Sequence, residues 1–259
     1  HAPGPISRQW IHADSDGDLD AVFLTFEHTE IFFELGGGQF VSSGPQTIPG
    51  DNDFNFASWT AGFVDGDGLV DIVARNYHVL PGTKLQVLYG LGGGSFAAPI
   101  TIASPQGFVD EIALPDLDGD GRTDVVAFVD NNPTVRLRTW LQPSMGTFTA
   151  VENVTTPGNV SRLEARDMTG DGLTDVVALG FDQSWLYIGD GTGVLPDVPE
   201  TIPGVHVDAR FVDIDLDGLT DVLQTSGEPP FGPEALLARP DGSLSAPVPA
   251  PHSARLLRT

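Results

Sequence analysis

One acidic pattern recurs five times along the 259 residues, and its spacing constrains the fold more than any other feature. Aligned over nine positions, the loops are His12–Asp20, Phe63–Asp71, Asp116–Asp124, Asp167–Asp175 and Asp213–Asp221. Their last aspartates lie 51, 53, 51 and 46 residues apart. A period that steady marks a repeat architecture. Eighteen of the 36 acidic residues fall within these loops, so the acid is placed and not merely abundant.

The third and fifth loops are complete, with carboxylates at positions one, three, five and nine: Asp116, Asp118, Asp120, Asp124 and Asp213, Asp215, Asp217, Asp221. Carboxylates at alternate positions converge on one hard cation while a glycine allows the sharp turn, which is calcium chemistry. Without a cation the same groups repel one another. The fourth loop offers Asp167, Asp171 and Asp175 but puts the neutral hydroxyl of Thr169 at position three. The first supplies Asp14, Asp16, Asp18 and Asp20 behind His12, a poor calcium ligand. The second supplies Asp65, Asp67 and Asp71 behind Phe63, which cannot coordinate, and reads equally well as an acidic turn with an apolar anchor. The expectation is several calcium ions, bound best at the third and fifth loops.

An EF-hand needs a glutamate at position twelve and a helix on each side. Position twelve holds Ala127 after the third loop and Gln224 after the fifth, and the run after each loop is rich in β-branched residues, as in Asp124-Val-Val-Ala and Asp175-Val-Val-Ala. The loops therefore join strands. Each repeat reads as four of them: an apolar segment such as Phe108–Leu114, a buried strand such as Asp124–Val129, a third such as Leu85–Tyr89, and a Pro-bearing edge after a glycine turn such as Gly92–Phe96. Four strands every ~50 residues make one propeller blade. The expected fold is all-β, a single β-propeller domain over 1–259 with about five four-stranded blades. The repeats run approximately 1–50, 51–104, 105–157, 158–203 and 204–250, with 251–259 as an extra or closing strand.

Composition narrows the partners. A net charge of −24 with a single lysine, Lys84, argues against nucleic acid, because phosphate binding needs basic surface. No apolar run approaches the ~20 residues of a membrane span, so no membrane insertion is expected. Cysteine is absent, which removes thiol chemistry and disulfides together. The 31 glycines and 21 prolines suit a turn-rich β protein.

The loop followed by Ile-Val or Val-Val, with a downstream turn such as Gly92-Gly-Gly-Ser-Phe96, resembles the FG-GAP/VCBS repeat of integrin-like β-propellers over essentially the whole chain. The resemblance implies that each loop joins the two innermost strands of a blade and holds calcium by side chains at positions one, three, five and nine. The carbonyl at position seven would complete the shell, from Asp18, Leu69, Arg122, Leu173 and Leu219. Such propellers usually have seven blades, and this chain has five repeats.

No catalytic set stands out. The expected function is a secreted, extracellular or periplasmic recognition or adhesion module for a glycan or a protein. The alternative is a secreted polysaccharide-active enzyme with copper at His1, whose amine and imidazole suit that metal, although one histidine is weak evidence for it. Trp10, Trp59, Trp140 and Trp185 fit either sugar-stacking platforms or packing between blades. The tail Pro251–Thr259 resembles the first strand of a further repeat, and lending it to a neighbour would give a homo-oligomer.

Overall fold

The computed structural model describes residues 7–13, 18–24, 28–35, 38–44, 46–47, 56–78, 82–105, 107–131, 134–151, 154–181, 183–202, 205, 208–225, 232–239 and 243–249. His1, Asp14, Asp16 and the 251–259 tail lie outside them. Among the described residues every regular element is a strand, and no helix is long and apolar enough to cross a membrane. The strands form five antiparallel blades of a β-propeller. Two compact units hold them: His1–Asp116 with Asp120–Thr155, and Leu117–Gly119 with Thr156–Thr259.

In the first unit, blade 1 runs Ser7–Ile11, Asp20–Leu24, His28–Glu34 and Phe40–Ser42, with Gln46–Thr47 added to its third strand. Blade 2 runs Phe56–Gly62, Asp71–His78, Gly82–Leu88 and Ile100–Ala103, beside a hairpin of Gly90–Gly92 with Ser95–Phe96. Blade 3 runs Phe108–Ala113, Val125–Asn131, Thr134–Ser144 and Thr147–Ala150, and Val154–Thr155 pairs its third strand. In the second unit, blade 4 runs Arg162–Arg166, Asp175–Leu179, Ser184–Tyr187 and Glu200–Ile202. Blade 5 runs Arg210–Val212, Asp221–Thr225, Pro233–Leu236 and Val248–Pro249.

The strand after each loop is apolar on both faces because a blade packs on two neighbours. In blade 2, Ile72 and Ala74 meet Val22 and Ile31 of blade 1, while Val73, Leu85 and Val87 meet Val125, Ala127 and Trp140 of blade 3. In the second unit, Val177, Leu179 and Leu186 meet Phe211, Val222 and Leu236. The third residue after the last aspartate is a fully buried alanine in blades 2, 3 and 4 (Ala74, Ala127, Ala178), which lets sheets approach closely.

In blades 2 and 5, side chains of the preceding blade also bond the edge that the first strand leaves unpaired. Gln9 of blade 1 accepts from the Ala61 N–H of blade 2 at 2.7 Å and donates back to its carbonyl at 3.2 Å. Arg162 and Arg166 of blade 4 donate to the Ala209 and Phe211 carbonyls of blade 5 at 3.0 and 2.9 Å. Arg166 also lies over the Phe211 ring, 5.3 Å from its centroid. Of the tryptophans, Trp140 and Trp185 are buried and Trp59 packs against the core between blades 1 and 2. Trp10 alone is strongly exposed, at 52%. Packing is therefore the role of the other three.

Candidate metal centres and clefts

Each loop is anchored at its ninth position. Asp20, Asp71, Asp124, Asp175 and Asp221 are all fully buried, although the sequence presents them as cation ligands. Their Oδ1 atoms accept from the N–H of a residue just past the third strand or within it: Glu34 at 2.8 Å, Gly90 at 2.8, Gln142 at 2.8, Gly189 at 2.8 and Ala238 at 2.7. Oδ2 accepts from the second loop residue in four blades: Ala13 at 2.6 Å, Val64 at 2.6, Met168 at 2.8 and Ile214 at 2.8. One carboxylate thus ties the loop's entry to the far hairpin through charge-assisted bonds. Burial pushes Asp71 up to about 6 against the pull of the Gly90 and Val64 N–H groups, and raises Asp175 for the same reason.

Gly90 and Gly189 must be glycines for this clamp to close. A Cβ at either would lie 2.4 or 2.2 Å from the carbonyl at position eight of its own loop, Val70 or Thr174.

The rest of the loop is a pair of nested turns. The position-seven N–H donates to the position-five carboxylate in loops two to five: Leu69 to Asp67 at 2.7 Å, Arg122 to Asp120 at 2.9, Leu173 to Asp171 at 2.8 and Leu219 to Asp217 at 2.9. The position-six glycine donates to the first carboxylate in loops three to five: Gly121 to Asp116 at 2.9 Å, Gly172 to Asp167 at 2.8 and Gly218 to Asp213 at 3.0. Phe63 removes that acceptor from loop two. Position four is left-handed throughout these loops, at Gly66, Gly119, Gly170 and Leu216, so the fifth loop places a side chain where the others have glycine.

Two loops gather three acidic oxygens within 4.8 Å of one another: Asp116, Asp118 and Asp120, and Asp213, Asp215 and Asp221. Both trios come from the complete loops. Two buried oxygens at ligand positions also lack a hydrogen-bond partner, Asp116 Oδ1 and Thr169 Oγ1. An all-oxygen donor set with such atoms fits a hard divalent cation. Asp215 is raised by desolvation and by the charges of Asp217, Asp221 and Asp213, and Asp65 by desolvation and by Asp67. In loop one, His12 Nδ1 lies 2.8 Å from the Asp18 carbonyl. That contact requires a proton on the ring nitrogen, and it occupies the carbonyl that the resemblance assigns to the cation.

A second feature was invisible in the sequence, because it is made by residues of different blades. A cleft of about 360 Å³ lies between the outer strands of blade 1 (Phe33, Leu35, Val41) and the blade 2 hairpin at Gly92–Phe96. In the second unit, a cleft of about 350 Å³ lies between Leu186, Thr201 and Ile202 of blade 4 and Ser243, Ser245 and Pro247 of blade 5. Both reach down to position two of the preceding loop, Ala13 or Met168, so they are equivalent places in the repeat. The first is walled by apolar groups, whereas hydroxyls and the Glu200 carboxylate line the second.

A family model described as an FG-GAP-like repeat matches residues 64–127, 116–178 and 167–223. No curated relative matches the chain in sequence. Among solved structures, the chain is similar to an Agrocybe aegerita lectin that specifically recognises non-reducing terminal N-acetylglucosamine, at 16% identity and a TM-score of 0.64. The likeness covers 94% of this chain and 65% of the lectin, so the chain spans a little under two thirds of that protein. It is also similar to BBS1N as crystallised with ARL6DN, at 12% identity and a TM-score of 0.52, over 94% of this chain and 68% of that one. At these identities the likeness shows the propeller fold.

Proposed function

Because this chain belongs to the FG-GAP-like repeat family, we propose that it is a secreted recognition module, its loops braced by calcium, that binds neutral glycans in the clefts between blades. The observation that carries the reading is the recurrence of an equivalent cleft in both units, each large enough for one or two sugar rings. The cleft between blades 4 and 5 is the better site. Thr201 and Glu200 bring a hydroxyl and a carboxylate to the cleft for sugar hydroxyls, beside the apolar Leu186 and Ile202. A protein of net charge −24 repels anionic polymers, which favours neutral ligands. The lectin's recognition of terminal N-acetylglucosamine lends general support.

Calcium would be held by Asp116, Asp118 and Asp120 in the third loop and by Asp213, Asp215 and Asp221 in the fifth. Its role is to neutralise the loops and stiffen the blades. The clefts touch the loops only through position two of the preceding loop and, in the first, Leu69 and Val70. Calcium should therefore act on binding through folding.

A panel of neutral oligosaccharides titrated calorimetrically into the full chain tests the reading. Binding that is lost in Ser245→Trp, which fills the cleft, supports it. Binding unaffected by that change, or none across the panel, overturns it.

A further inference from the structure

Loops three and five carry the same four carboxylates and differ at positions two, four and seven; of these only position seven differs in charge, with Arg122 in one and Leu219 in the other. The Arg122 side chain turns back onto its own loop. Its guanidinium pairs with Asp120 Oδ2, and its Nε donates to the Gln142 carbonyl at 2.7 Å. Gln142 is a firm anchor. It is 1% exposed, and its side chain donates to the Val64 and Thr123 carbonyls at 2.9 and 2.8 Å and accepts from the Gly146 N–H at 2.8 Å.

We propose that Arg122 is a built-in cation that sets the metal affinity of the third loop, lowering it below that of the fifth and holding the loop in shape when no metal is bound. The inference rests on the calcium reading above and goes beyond it. A guanidinium is always charged and grips carboxylates through fixed donors, so a divalent ion entering loop three must share Asp120 with it. It does not replace the ion, since Asp116 Oδ1 in the same loop stays buried and without a partner. In the fifth loop the position-seven side chain carries no charge, and Asp213, Asp215 and Asp221 face one another. There the mutual repulsion of three carboxylates is left for the metal to relieve. Loop five should accordingly fill first and lose its order on chelation, whereas loop three should fill later and change little.

The test is calcium titration of the full chain by calorimetry, with Asp118→Ala and Asp215→Ala identifying which step belongs to which loop. Arg122→Leu should tighten the third-loop step by roughly threefold to tenfold, the range expected for one partly screened charge beside the site. Leu219→Arg should weaken the fifth-loop step by a similar factor. This second variant alters a partly exposed loop position and decides the matter if Arg122→Leu does not fold. An unchanged or weakened third-loop step in Arg122→Leu, or an unchanged fifth-loop step in Leu219→Arg, overturns the proposal while leaving calcium binding intact. No heat from calcium in any variant overturns the proposal together with the metal reading beneath it.

Discussion

The Thr220 hydroxyl donates to the backbone carbonyl of Asp167 at 3.0 Å, fastening position eight of the fifth loop to position one of the fourth. Thr123 does the same for Phe63, at 2.9 Å. The bond ignores the side chain at position one, so it survives in a loop whose first residue cannot hold a cation. Thr220→Val should cost about 1 kcal/mol, the usual net worth of one such bond, and Thr220→Ser should restore it. Urea unfolding of the three proteins measures this, and equal midpoints for valine and threonine would remove the fastener from the account.

Leu216 sits at φ 63°, where the corresponding positions of three other loops have glycine. A left-handed backbone costs a residue with a Cβ roughly 1–2 kcal/mol, and glycine's extra freedom in the unfolded chain returns part of that. Leu216 is 80% exposed, so little packing is lost on its removal. Leu216→Gly should raise stability by roughly 0.5–1 kcal/mol. A lower melting temperature in the variant would mean that the side chain makes contacts its exposure does not suggest.

The clamp and the cation positions should separate in their response to chelator. Asp71→Ala leaves the buried N–H groups of Val64, Asp65 and Gly90 without an acceptor, at a cost of about 3 kcal/mol or more with or without calcium. Asp118→Ala and Asp215→Ala should lower the melting temperature only when calcium is present, because each abolishes one site and the stabilisation that mass action supplies. Thermal melts in excess calcium and in chelator distinguish the cases. A calcium-dependent loss in Asp71→Ala would make the second loop a working metal site.

Acidity should stabilise the calcium-free protein. Asp71 titrates near 3.8 ordinarily and about 6 in the fold, so between those values the native state holds a proton that the unfolded chain has released. Stability from this group is therefore present below pH ~4 and is lost as pH rises through about 6, by on the order of 2 kcal/mol. In chelator, the stability difference between wild type and Asp71→Asn should shift by that amount between pH 4.5 and 7.5. Parallel pH profiles would show that the proton resides elsewhere.

The blades were legible because carboxylate spacing and β-branched runs are local signals, and both survive in single loops. The division of labour within a loop was not. Asp71 and Asp65 are the same letter in the same motif, yet one is buried against three N–H donors and the other is partly exposed. The difference arises only once the loop has folded back on itself and met Gly90, some twenty residues downstream. The pairing of Arg122 with Gln142 and of His12 with the Asp18 carbonyl likewise depends on where side chains turn after the loop has closed. The clefts have no sequence signature at all, since their walls come from separate blades.

The grip of Arg162 and Arg166 on the carbonyls of Ala209 and Phe211 has a consequence for colloidal behaviour. The strand Arg210–Val212 ends its sheet, and bare carbonyls along such an edge would template the addition of a foreign strand and begin aggregation. Two guanidiniums from the neighbouring blade, both paired with Glu164, occupy the Ala209 and Phe211 carbonyls, so a stray strand finds those two acceptors already taken. In a chain with only twelve basic residues, placing two of them there guards this edge against the strand pairing to which open β edges are prone.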